Sequence, residues 1–90
     1  MNWQVKIAKS TSKQMRKFPR KDFERILTVF EEMGKNPFQG DIVKIEGETN
    51  TWRCRVGNYR ILFEIFINER IASIYNVERK TTTTYRNRKK

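Results

Sequence analysis

Near the start of the chain apolar and polar positions alternate. Trp3, Val5 and Ile7 are separated by Gln4 and Lys6, the period-two signature of a half-buried strand. A helix-tolerant stretch follows, in which Ser10 offers an N-cap hydroxyl and Met15 and Phe18 lie three apart. Phe18-Pro19 interrupts it, because a residue ahead of proline is pushed out of the α region, and Pro19 suits the first turn of a second helix. From Arg20 to Lys35 the apolar residues Phe23, Ile26, Leu27, Phe30 and Met33 return at helical spacing among charged neighbours, which predicts one buried stripe and one wet face. Gly34 and Asn36-Pro37 supply the stop.

Beyond a polar loop over 38–41 the pattern turns to strand. The segments 42–45, 51–56, 59–67 and 70–77 read as strands, joined by turns at 47–50, Gly57-Asn58 and Asn68-Glu69. From Glu78 the chain is a polar, basic tail with threonines at 81–84 and Tyr85. The predicted order is β-α-α-β-β-β-β over a single domain of residues 1–90. That is an α+β fold whose antiparallel sheet is covered on one face by an N-terminal helical hairpin.

Gly57-Asn58 suits a two-residue turn of type II′, with glycine first. That turn places Val56 opposite Tyr59, Arg55 opposite Arg60, Cys54 opposite Ile61 and Trp52 opposite Phe63. Side chains alternate across a sheet, so Arg53, Arg55 and Arg60 share one face, while Trp52, Cys54, Val56, Ile61, Phe63 and Ile65 share the other. The same arithmetic through Asn68-Glu69 puts Leu62 opposite Tyr75 and Arg60 opposite Val77, and brings Arg79 onto the Arg60 face if the register is unbroken. Arg53, Arg55, Arg60, Tyr75 and Arg79 are then expected to line one open face. Like charges directly opposite cost up to ~1 kcal/mol, and a bound phosphate would reverse that sign. A solvated arginine face that discourages aggregation is equally compatible with the pattern.

Composition sharpens the choice. Twenty Lys and Arg against ten Asp and Glu leave a net charge of +10, which suits a polyanionic partner: nucleic acid, an anionic membrane or an acidic protein. No apolar run approaches the ~18 residues that a membrane span needs. The N-terminal residues lack the apolar core of a signal peptide, so a cytoplasmic location is expected. The chain has no histidine, no Gly-rich phosphate loop and no cysteine pair at metal spacing, so neither a metal nor a small-molecule cofactor is expected. Cys54 cannot form an internal disulfide and reads as a small core residue.

Lys44-Ile45-Glu46-Gly47, followed by Trp52-Arg53-Cys54-Arg55-Val56-Gly57-Asn58-Tyr59-Arg60 and an apolar strand, resembles the RelE/ParE toxin superfamily. Members show a Lys-Leu-x-Gly turn, an aromatic-basic-x-basic strand, then Val-Gly-Asp/Asn-Tyr-Arg. The ending Val77-Glu78-Arg79, with Tyr85 six residues beyond Arg79, is similar to that of RelE. The resemblance implies a RelE-like messenger-RNA interferase that cleaves without a metal in the ribosomal A site, by attack of the 2′-OH on the adjacent phosphodiester. It also implies a cognate antitoxin protein as partner, besides the ribosome and mRNA. Carried over by motif, the catalytic positions are Arg60, Arg79 and Tyr85; Arg53 and Arg55, with Lys44 and Lys80, are RNA-binding, and Lys80 is a rival match for the second arginine. The departure is arginine at 53 and 55 where RelE carries lysine, because arginine does not release its proton. A ParE-like gyrase inhibitor and a catalytically inactive basic nucleic-acid-binding module are the alternatives.

Overall fold

In the computed structural model, which describes residues 2–79, the opening alternation becomes β1 (Gln4–Ile7), followed by α1 (Lys9–Met15) and α2 (Arg20–Lys35). The predicted boundaries shift slightly at the caps. Ala8, not Ser10, occupies the N-cap of α1, and no side chain caps it. Pro19 likewise stands one position earlier than expected, at the N-cap of α2, where its carbonyl accepts the first helical hydrogen bond from Phe23 N at 2.9 Å. β2 (Ile42–Lys44), β3 (Thr51–Val56), β4 (Tyr59–Phe66) and β5 (Ile71–Arg79) complete the β-α-α-β-β-β-β order.

The strands form one sheet in the order β1-β5-β4-β3-β2. β2 to β5 are antiparallel, as expected, but β1 runs parallel to β5, with Val5 beside Ala72 and Ile7 beside Ile74. The sheet is therefore mixed. A parallel pair needs a crossover of a dozen or more residues, and everything from α1 to β4 serves as that crossover here.

The helices cover one face. Met15 of α1 and Ile26, Phe30 and Met33 of α2 pack on Cys54, Tyr59, Ile61, Phe63, Ile65, Ala72, Ile74 and Val77, all buried. Of the stripe predicted for α2, Ile26, Phe30 and Met33 enter this core, Phe23 packs against it partly buried, and Leu27 is left exposed; inward residues of β3, β4 and β5 supply the sheet half.

Both hairpin turns keep the expected pairing near the loop. Gly57 has φ 58° while Asn58 is not in the positive-φ region, as a type II′ turn requires, and Arg55 lies opposite Arg60. Across the second turn Phe66 pairs with Ile71 and Phe63 with Ile74 as predicted. There the register breaks: Leu62 pairs with Asn76, leaving Tyr75 as the extra residue of a β-bulge. From that point every residue of β5 changes face relative to unbroken alternation, so Val77 is buried, Glu78 lies opposite Arg60, and Arg79 lies opposite Tyr59.

Candidate nucleic-acid interface

The face opposite the helices carries a row of three side chains from neighbouring strands: Arg55 of β3, Arg60 of β4 and Glu78 of β5. Arg53 sits on the same face two residues along, opposite Leu62, and Val43 of β2 lies beyond it. The two directly opposed guanidiniums repel one another unless an anion sits between them. Glu78 offsets this only weakly, because its Oε1 is 4.0 Å from Arg60 Nε and the two side chains are 47 % and 32 % exposed. A long, wet contact of this kind contributes at most ~1 kcal/mol. Among the described residues the only other ion pair is Arg20–Glu24, on α2, so Arg53 and Arg55 face solvent without a carboxylate partner.

Arg79 does not join this row, which corrects the expected five-residue face. The bulge at Tyr75 turns it to the helix side, where its guanidinium carbon lies 5.8 Å from the centre of the Tyr59 ring. Tyr59 is buried against Phe18 and donates a hydrogen bond of 2.6 Å from its phenol to Asp22 Oδ2. Burial and the bond to Asp22 push the Tyr59 phenol upward, and the Arg79 guanidinium opposes them. This tyrosine is held as a hydrogen-bond donor and cannot serve as a base at neutral pH.

The two faces meet at the β3–β4 turn. A Cβ placed on Gly57 would stand 2.8 Å from Arg25 Nη1, so the Arg25 guanidinium of α2 lies over the turn. Arg25, Arg55, Arg60 and Arg79 thus come from four different elements to one end of the molecule. Helical periodicity marks Arg25 only as part of a wet surface; its place at the turn follows from how α2 crosses the sheet.

The remaining predicted residues separate. Lys44 pairs with Trp52, and therefore lies on the helix side of the sheet edge, away from Arg53 and Arg55. Lys80 and Tyr85 lie outside the described residues. Tyr75 is on the open face, as expected, and is 40 % exposed. Its phenol is pushed up by partial burial and by Glu64, Glu48 and Glu78, while the nearby Thr51 side chain acts the other way. Thr51 belongs to β3, on the far side of β4, and is itself buried. Cys54 is a buried core residue whose thiol is pushed up by burial, Asp41 and Glu32. The described residues contain no group of three or more His, Cys, Asp or Glu able to hold a metal ion, and no helix among them is long and apolar enough to cross a membrane.

Comparison with known proteins adds three findings. The family model described as the ParE toxin of the type II toxin–antitoxin system parDE matches residues 5–82. RelE1 of Methanocaldococcus jannaschii is 24 % identical over 83 residues, which cover 89 % of this chain and 92 % of that protein. Among solved structures, the toxin of the archaeal RelE–RelB complex from Pyrococcus horikoshii OT3 superposes with a TM-score of 0.80 at 23 % identity, over 91 % of this chain and 99 % of that one. The RelB–RelE antitoxin–toxin complex from Methanococcus jannaschii gives a TM-score of 0.72 at 29 % identity, over 92 % and 98 %.

Proposed function

The chain belongs to the ParE family of toxins from type II toxin–antitoxin systems, within the RelE/ParE superfamily, and on that premise we propose that it is a metal-independent endoribonuclease cutting messenger RNA in the ribosomal A site. The observation that carries this reading is the Arg55–Arg60 pair: two arginines directly opposite one another across β3 and β4, on the sheet face away from the helices, with Arg53 beside them. Such an arrangement is unfavourable when empty and favourable around a phosphate.

RNA brings its own nucleophile. In-line attack of the 2′-OH on the adjacent phosphorus leaves a 2′,3′-cyclic phosphate and a free 5′-OH, so the protein need only hold the chain, move protons and stabilise the charge of the pentavalent state. Arg55 and Arg60 donate to the non-bridging oxygens, where each preorganised donor is worth roughly 3 kcal/mol of barrier. Arg53 binds a flanking phosphate. Arg25 and Arg79 extend the positive surface around the end of the sheet toward ribosomal RNA. The site of action is then the cytoplasm.

Relatives of this fold have been solved bound to RelB antitoxins. An antitoxin for this chain would carry an acidic surface matched to its net charge of +10. Co-expression tests the pairing: the chain alone should arrest growth, and the protein encoded beside it should relieve the arrest.

The decisive experiment maps cuts in message on translating ribosomes. Wild-type protein should cut ribosome-bound message, and Arg55→Ala and Arg60→Ala should abolish the cuts. A second reading, inhibition of gyrase through protein contacts, is favoured by one observation: Arg79 stands apart from the Arg55–Arg60 row. Intact message together with loss of supercoiling would select it. Ribosome binding with neither effect would leave an inactive binding module.

A further inference from the structure

The proposed cleavage needs a group to take the 2′-OH proton, and the arginines of the face cannot do so. Tyr59 is buried on the other side of the sheet as a donor to Asp22, and the Tyr75 phenol is pushed further from neutrality by its acidic neighbours. Cys54 is closed in the core. Among the described residues, β4 and β5 present two carboxylates on the face opposite the helices, Glu64 and Glu78. Glu64 lies in a row with Thr51 and Ser73 and faces no arginine. Glu78 shares its row with Arg60 and Arg55, remains 47 % exposed, and keeps Oε1 at 4.0 Å from Arg60 Nε.

We propose that Glu78 is the general base of the reaction, a catalytic residue beside the phosphate clamp formed by Arg55 and Arg60. The inference rests on the endoribonuclease reading and deepens it. Neighbouring strands are ~4.8 Å apart, so a phosphate seated between Arg55 and Arg60 has the Glu78 carboxylate on its β5 flank, where the adjoining ribose can present its 2′-hydroxyl within hydrogen-bond reach. The Glu78 carboxylate takes the 2′-OH proton as the 2′-oxygen bonds to phosphorus. The P–O5′ bond breaks, the leaving oxygen takes a proton from water, and the carboxylic acid returns its own to solvent. The charged and titratable groups around Glu78 are Arg60 on β4, Tyr75 on its own strand, and Arg79 adjacent in sequence but turned to the opposite face; α1 and α2 pack on that opposite face. The exposed Arg60 contact is too long to occupy the carboxylate, and Glu78 replaces the proton-transfer capacity that arginine at 53 and 55 lacks.

Single-turnover cleavage of ribosome-bound message by wild type, Glu78→Gln and Glu78→Asp, followed across pH, tests this. Wild type should hold a level rate between about pH 6 and 8. Glu78→Gln should be about 10²–10⁴-fold slower, with a rate that climbs roughly tenfold per pH unit because hydroxide must then remove the proton. Glu78→Asp should recover part of the loss and restore the level profile. Binding of Glu78→Gln to ribosomes carrying 2′-O-methylated message should match wild type, which a merely structural role for Glu78 would not combine with a lost pH profile. If Glu78→Gln cuts at the wild-type rate with the wild-type profile while Arg60→Ala does not cut, Glu78 is an ion-pair partner and this proposal is overturned alone. If wild type itself cuts nothing, the endoribonuclease reading falls and takes the proposal with it.

Discussion

The Tyr59 phenol donates a 2.6 Å hydrogen bond to the carboxylate of Asp22, joining the start of the central strand β4 to the first turn of α2. This is a buried donor meeting a charged acceptor, and its loss leaves an unpaired acceptor in a partly buried place. Tyr59→Phe should therefore lower stability by about 1–3 kcal/mol in urea unfolding at neutral pH.

The same bond fixes a pH dependence. The Tyr59 phenol is raised in the folded state by burial and by Asp22. The folded state then keeps its proton above ~pH 10, where an unfolded tyrosine gives its proton up, so stability is full below that value and falls as pH rises through the folded one. Urea midpoints recorded from neutral to strongly alkaline pH should fall more steeply for wild type than for Tyr59→Phe. Equal slopes would show that this phenol does not control the transition.

Arg55 and Arg60 predict opposite signs for stability and activity. Arg55→Thr removes a like-charge pair and adds a residue suited to strands, so thermal unfolding of the free protein should move upward by a few tenths to ~1 kcal/mol. Ribosome-dependent cleavage by the same variant should be lost. The trade-off is expected of a site whose charges are matched to a ligand rather than to one another.

The bulge at Tyr75 predicts that one residue can be removed. With Tyr75 deleted, plain alternation leaves Ile74 inward, Asn76 outward, Val77 inward, Glu78 outward and Arg79 inward, the arrangement that β5 already has. The deletion should fold cooperatively with an unchanged circular dichroism spectrum. Deletion of Val77 instead removes a fully buried apolar side chain and leaves a polar neighbour, Asn76 if the bulge is absorbed or Glu78 if it persists, to fill its place in the core, and should abolish folding.

Gly57 is required by its φ of 58°. Gly57→Ala should cost about 1–2 kcal/mol by the left-handed conformation alone, and its methyl would also push the Arg25 guanidinium off the turn. A fall in melting temperature accompanied by weaker ribosome binding would report both effects. An unchanged melting temperature would mean that the hairpin adopts another turn.

The element order, the α2 stripe and the Gly57-Asn58 hairpin were legible in the chain because each rests on local rules: period-two alternation, helical spacing and a turn residue with the freedom to adopt positive φ. From these alone the Arg55–Arg60 pair could be placed correctly. The lock between Tyr59 and Asp22 was not legible, since the partners are 37 residues apart and neither carries a local signal for the other.

The tertiary structure decided which face the last residues of β5 take. A single unpaired residue at Tyr75 moved Arg79 from the arginine face to the Tyr59 ring and put Glu78 in its place beside Arg60. Unbroken alternation would have sent Val77 into solvent and Glu78 into the core. Burying Val77 against the helices outweighs keeping the ladder regular, and that balance is settled only when the strands pack. The amino-acid order determined the elements and their pairing near each turn; long-range packing determined which charges meet.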